Sequence, residues 1–182
     1  NYTLVQPTGV TANITAADLT ISGISASNKT YNATTSATLT GTAAISALTG
    51  DSVTLGGTGS GVFADKNVGT GKAVTVSGYT ISGTDYANYT LVQPAGVTAN
   101  ITAKTITLTG VDAANKTYDG ATTATINNAG SLSGVVIGDT VTVSNSGAAF
   151  SDKNVATGKT VTLNGVTIAG TDSGNYSIAS TA

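Results

Sequence analysis

The chain contains no Cys, His, Glu, Arg, Met or Trp, and only nine acidic and seven basic residues among 182. Every acid is Asp and every base is Lys. Without Cys there is neither a disulfide framework nor a thiol nucleophile. Without His or Glu, general acid–base work would fall to Asp, Lys or Tyr alone. No Arg is available to fork onto guanine or phosphate, no basic cluster forms, and the net charge is −2, so nucleic acid is not an expected partner. No run of 18 apolar residues is present to span a membrane. No secretory signal pattern opens the chain, which reads as an internal piece of something longer.

What remains is mostly Thr, Ser, Gly, Ala, Val and Asn. Charged residues make up 9%, but 40% are hydrophobic, arriving as short runs of Val, Ile, Leu and Ala. Such runs bury apolar area, so the expectation is a folded chain rather than a low-complexity tail.

Internal repetition is the strongest signal. NYTLVQPTGVTANIT at 1–15 returns as NYTLVQPAGVTANIT at 88–102, an offset of 88 − 1 = 87. NKTY recurs from Asn28 to Asn115, DKNV from Asp65 to Asp152, and GTDYANY at Gly83 returns as GTDSGNY at Gly170, all at 87. The register slips by one between Tyr31 and Phe63, so that Asp51 matches Asp139, and recovers by Phe150. A unit of that length is too long for a solenoid repeat and suits a small independent β domain. The expected organisation is a C-terminal hairpin of a preceding repeat at 1–15, a first unit at 16–102, and a second at 103–182 lacking its last strand.

Strand is expected almost throughout. Leu19-Thr20-Ile21, Val53-Thr54-Leu55, Val74-Thr75-Val76, Ile106-Thr107-Leu108, Val141-Thr142-Val143 and Val161-Thr162-Leu163 each alternate branched apolar residues with Thr. Gly-containing breaks recur at sandwich spacing. Ser77-Gly78 and Asn164-Gly165 each read either as a two-residue hairpin turn or as a bulge in a continuous strand. After Tyr89 a hairpin is expected, with strands 90–93 and 97–102 around Pro94-Ala95-Gly96. Residues 43–48 suit one helical turn. The pattern Asp85…Tyr89 and Asp172…Tyr176 looks like the tyrosine corner of immunoglobulin-type sandwiches, with Leu91 and Ile178 where an antibody domain carries Cys. The fold class expected is therefore all-β: tandem immunoglobulin-like β-sandwich modules end to end, the alternative being a β-grasp-like module with one short helix. A connector of about two residues, Ala103-Lys104, predicts a stiff junction.

Lys116-Thr-Tyr-Asp-Gly120, Val136-Ile-Gly-Asp139, Phe150-Ser-Asp-Lys-Asn154, Gly158-Lys159 and Gly170-Thr-Asp-Ser-Gly-Asn-Tyr176 together resemble the YDG repeats and the related MBG-type repeats. These occur in tandem in large bacterial exoproteins and filamentous-haemagglutinin-like adhesins. The first unit departs from the name-giving motif, with Tyr31-Asn32-Ala33 in place of Tyr-Asp-Gly. The resemblance implies a non-catalytic stalk that carries a distal binding region away from a bacterial surface, extracellular and free of disulfides. It supplies no catalytic residue. The rival expectation is a carbohydrate- or matrix-binding module of a biofilm adhesin, with Tyr79 and Tyr86 as the candidate exposed pair.

Other candidate sites have plainer readings. Asp65-Lys66-Asn67 and Asp152-Lys153-Asn154 read as turns fixed by Asp and Asn, with Lys in solvent. Asp85 and Asp172, with Asn88 and Asn175, are weak calcium candidates, since no Asp-rich loop supplies about six oxygens; no other cofactor is expected. An isopeptide bond from Lys29 or Lys116 would need a buried acid beside it. Gly56–Gly61 mimics a phosphate loop but leads into Val62-Phe63, not a helix, and reads as a hairpin tip. Thr105, Thr107 and Thr109 form a row that suits ice or glycan, but also an ordinary strand face. Asn-X-Thr/Ser sequons stand at Asn1, Asn13, Asn28, Asn32, Asn88, Asn100, Asn115 and Asn175. The core is expected at Tyr31, Phe63, Tyr89 and Leu91, and at Tyr118, Phe150, Tyr176 and Ile178. The partners expected are neighbouring repeats, with glycan or matrix polymer as the alternative.

Overall fold

The computed structural model describes residues 1–179. Alternating branched residues and Thr, with almost no long unbranched side chains, leave little that favours helix, and from Ala17 onward the regular structure is strand apart from two single 3-10 turns. The first repeat comprises β1 (Ala17–Thr20), β2 (Ser22–Ala26), β3 (Lys29–Thr30), β4 (Ser36–Ala37), β5 (Leu39–Ala44), β6 (Thr54–Phe63), β7 (Gly69–Ser82), β8 (Tyr89–Val92) and β9 (Thr98–Thr102). One layer pairs β1 in parallel with β8 and β2 antiparallel with β5. The other is a five-stranded sheet in the order β3-β9-β7-β6-β4. Tyr31, Phe63, Val74, Val76 and Ile101 fill the space between them, against Ile24, Ala26 and Leu39. The protein is all-β and sandwich-like.

The second repeat contains β10 (Lys104–Ala113), β11 (Thr123–Ala124), β12 (Ile126–Ser133), β13 (Thr142–Ser144), β14 (Gly147–Phe150), β15 (Val161–Asn164), β16 (Thr167–Ala169) and β17 (Tyr176–Ile178). Here β10 does alone what β1 and β2 do together: it runs parallel to β17 and antiparallel to β12. The facing layer holds β11-β14-β15 and the pair β13-β16. Among the described residues, no strand pairs with β15 in the way that β9 pairs with β7.

Only Ala103 separates β9 from β10, and Ile106 and Tyr176 of the second repeat join the same buried cluster as Tyr31 and Phe63 of the first. The two repeats thus share apolar packing across their junction. The end of the second unit at Ala182 lies outside the described residues.

Several expectations are corrected. β8 and β9 do not form a hairpin. Val92 accepts from Ile21, while Val97 accepts from Val74, so the chain crosses from one layer to the other between them. Buried Pro94 has no amide for a ladder, and the Gln93 side chain bonds both backbone groups of Tyr79 at the crossing. Gly56–Gly61 is no hairpin tip but the middle of β6, bulged against β7, which runs through Ser77-Gly78 unbroken. A Cβ at Gly59 would fall 2.4 Å from the Tyr79 hydroxyl, so this glycine makes room for that ring. Tyr79 is therefore partly buried, which leaves Tyr86 alone of the expected exposed pair. Residues 43–48 contain the end of β5 and no helical turn. Residues 1–16 form no strand, and Tyr2, Leu4, Val5, Val10 and Ile14 are exposed. Tyr31, Phe63, Tyr89 and Tyr176 are buried as expected, whereas Leu91, Phe150 and Ile178 are partly covered. Tyr118 is 58% exposed against 1% for Tyr31. Tyr31 donates its amide to Thr102 at the end of β9 and packs against Tyr176 of the second repeat, and among the described residues Tyr118 has neither a matching strand nor a docked repeat over it.

Candidate functional site

Each repeat builds a tyrosine corner. After Gly170, Asp172 precedes a single 3-10 turn at Ser173–Asn175, and its Oδ2 accepts from the Thr140 amide at 3.0 Å. The Tyr176 hydroxyl accepts from the Val136 amide at 3.0 Å and donates to Asp139 Oδ2 at 2.6 Å. The first repeat repeats the arrangement: Asp85 with the Ser52 amide at 2.8 Å, and Tyr89 with the Leu48 amide at 2.9 Å and Asp51 at 2.6 Å. The expected bond from the tyrosine hydroxyl to backbone is present in both. The Asp beneath it was visible in the sequence only as a matched residue within the slipped stretch, Asp51 to Asp139.

The second repeat's corner receives the far end of the first repeat. Tyr31, immediately after β3, donates to Asp139 Oδ2 at 2.8 Å, so two tyrosines share one carboxylate oxygen. Their rings meet edge to face at 5.4 Å and 74°. Lys66 Nζ lies 3.2 Å from Asp139 Oδ1 and 3.1 Å from Asp172 Oδ1. It also stands 5.9 Å from the Tyr31 ring centroid, within cation–π range. Buried Asn175 accepts from the Val68 amide at 2.9 Å and donates to Asn67 at 3.2 Å.

Local turn chemistry aims these groups. Asp65 caps the Asn67 amide at 2.7 Å and pairs with Lys72 at 2.8 Å, which holds the 65–68 loop so that Lys66, Asn67 and Val68 face the second repeat. The Asp65 and Asp152 turns match the reading from sequence, since Asp152 caps the Asn154 amide in the same way. Lys66 corrects it, because this side chain spans the junction instead of standing in solvent. Nothing in DKN itself distinguishes Lys66 from Lys153; the difference arises because only Lys66 has a repeat docked against it.

The Asp139 side chain is 3% exposed, and a carboxylate that dry must be paired. Burial pushes its pKa up, but donors from Tyr176, Tyr31 and Lys66 outweigh that and hold it below the ordinary carboxylate range. Burial first, then the bond to Asp139, pushes the Tyr176 hydroxyl up to about 12. The same causes in the same order raise Tyr31. Tyr31, Asp172 and Asp139 raise Lys66 well above an ordinary lysine. Asp172 is held low by the Thr140 amide and by Lys66. Every buried polar atom of the cluster has a partner, and these contacts tie one repeat to the other.

The other candidates lie apart. Asp85 and Asp172 spend their oxygens on backbone amides, neighbouring threonines and Lys66, and no group of three or more acidic side chains gathers to hold a cation among the described residues. Lys29 bonds Asn32, Thr34 and Ser36 beneath the Phe63 ring, and Lys116 pairs with Asp119, the Asp of the KTYDG motif. Thr105, Thr107 and Thr109 alternate outward from β10 with buried Ile106 and Leu108 between them. No helix among the described residues is long and apolar enough to cross a membrane.

Two sandwich-like repeats, locked end to end through a tyrosine corner, define a tandem all-β module. The YDG domain family matches the chain twice, over residues 15–99 and 102–182, and the chain belongs to that family. No curated protein and no solved structure matches it.

Proposed function

We propose that this pair of YDG domains is a structural spacer in the stalk of a bacterial surface or secreted adhesin, extracellular, and without catalysis. The observation that carries the reading is the junction. One linking residue, a shared apolar cluster and the Tyr31–Lys66–Asp139–Asp172 cluster couple neighbouring repeats, which is what a stalk needs to hold a distal binding region at a distance. The tandem arrangement of family members in large adhesins, which the sequence resembles, supports the same reading. Loose linkers would let the repeats swing and fold back.

Because the chain has no Cys, spin labels can be placed at will on exposed Ser25 and Ser131, each replaced by Cys. Pulsed dipolar spectroscopy should return one narrow distance distribution, broadened by Lys66→Ala. A broad distribution in the otherwise native chain would mean that the repeats move independently and would remove the spacer function.

A further inference from the structure

The chain holds no Cys, Met, Trp or His, the side chains that ordinarily meet an oxidant first, so a one-electron oxidant is left with tyrosine. Among the described residues, Tyr31 and Tyr176 are the one pair of aromatic rings in contact, and they come from different repeats. We propose that this pair is a site of oxidative cross-linking, at which a dityrosine bond joins the first repeat covalently to the second within the lock at their junction.

Three observations converge on it. The first is placement. The Tyr31 and Tyr176 hydroxyls both donate to Asp139 Oδ2, at 2.8 and 2.6 Å. Two hydroxyls on one oxygen atom bring together the phenolic ends of the rings, where the ortho carbons that couple are found. The centroids are 5.4 Å apart and the planes meet at 74°, so closing the gap to a bond asks for a turn of the rings and no separation of the repeats.

The second is a base already in place. A phenol gives up an electron far more readily when its proton can leave with it, and the Asp139 carboxylate is hydrogen-bonded to both phenols. The third is confinement. Tyr31 is 1% and Tyr176 6% exposed, so a radical formed on either is sheltered from water and from other chains and has its neighbour to couple with. Electron transfer needs no contact with the ring, and the layer over the pair is thin there, since the Lys66 side chain beside Tyr31 is itself 38% exposed.

The step balances as follows. Each phenol gives one electron to the oxidant and its proton to Asp139, which releases the first proton to solvent before it takes the second. The two phenoxyl radicals then couple through a carbon–carbon bond between ortho positions. The hydrogens on those two carbons move to the phenolic oxygens and restore both aromatic rings. In all, two tyrosines lose two electrons and two protons, and two equivalents of a high-potential metal complex or an inorganic radical are reduced. Tyr31 belongs to NKTY and Tyr176 to the GTD corner, motifs that recur in each repeat, so the site is a property of the repeat and not of one chance contact. A bond there constrains the unfolded chain as a disulfide does, in a protein that has no cysteine to make one.

The inference goes beyond the spacer function: repeats that stay rigid without cross-linking would leave that function intact. The test is photo-oxidation of the 182-residue chain by ruthenium tris-bipyridyl and persulfate at low protein concentration, followed by tryptic digestion of the monomer fraction. Cleavage after Lys29, Lys66 and Lys159 leaves Tyr31 as the one tyrosine of peptide 30–66 and Tyr176 as the one tyrosine of peptide 160–182. Their product is therefore read directly, as the two peptides joined, lighter by two hydrogens and carrying dityrosine fluorescence. It should be the principal cross-link within the native chain and a minor one after oxidation in urea, where nothing holds the rings together. A native monomer without the joined peptide, or a Tyr31–Tyr176 product that forms as readily in urea, overturns the proposal.

Discussion

The Tyr31 hydroxyl of the first repeat donates to Asp139 of the second at 2.8 Å, on the carboxylate oxygen that already accepts from Tyr176. A buried carboxylate with two phenol donors on one oxygen and a lysine on the other is fully satisfied only when both repeats are in place. The lock is thus conditional: of the three side-chain donors to Asp139, the second repeat alone supplies only Tyr176, and no cation.

Tyr31→Phe keeps the ring and its edge-to-face contact with Tyr176 while removing the donor. A hydrogen bond to a charged acceptor contributes about 1.5–3 kcal/mol, so chemical denaturation should show a loss of that order. Combined with Asp139→Asn, the loss should fall well short of the sum of the two. Additive losses would mean that the two groups do not interact in solution.

Lys66 and Lys153 occupy matching positions in the repeat, but only Lys66 has carboxylate partners across a junction. Lys66 is 38% exposed, so solvent screening keeps its contribution modest. Lys66→Ala should lower the melting temperature of the dilute monomer and loosen the junction. Lys153→Ala should leave the monomer within about 0.5 kcal/mol of the parent. Equal effects would show that the junction does not form as described.

The pH dependence follows from opposite shifts. Tyr31 and Tyr176 are raised, Tyr176 to about 12, so their contribution is full below the ordinary tyrosine value of 10.0 and is lost as pH rises through the folded values. Lys66 is raised as well and loses its contribution on the same alkaline side. Asp139 and Asp172 are lowered, so theirs is present above the ordinary 3.8 and is lost as pH falls below it. Urea midpoints should therefore stay level from roughly pH 5 to 9 and fall on both sides. Tyr31→Phe should shallow the alkaline fall. A midpoint that climbs between pH 9 and 11 would contradict these shifts.

Phe63 is 2% exposed, whereas Phe150 at the matching position is only partly covered. Phe63→Ala should cost about 3–5 kcal/mol, and Phe150→Ala distinctly less, because a half-open site leaves a smaller cavity. Melting curves with two transitions would assign each loss to its repeat; equal losses would mean that the second repeat is as closed as the first.

Strand content, the repeat, the tyrosine corners and the Asp turns of DKN were legible because each depends on residues close in sequence. Alternation of Val or Ile with Thr sets the faces of β7 and β10, and the spacing from Asp172 to Tyr176 sets the corner. The hairpin expected after Tyr89 failed for the opposite reason. Whether two short strands pair with each other or with distant ones depends on which edges are free, and β1, β3 and β7 offered better edges.

By itself, the sequence determined that the chain is all-β, that it is built from two YDG repeats, and that every residue of the lock occurs twice. Tertiary structure alone decided which copy of each is used. Tyr31 and Tyr118 sit in the same NKTY motif, yet one is buried against Asp139 and the other stands exposed. Burial and charge pairing depend on what is docked against a side chain, and two identical motifs acquire different environments once one of them has a neighbour.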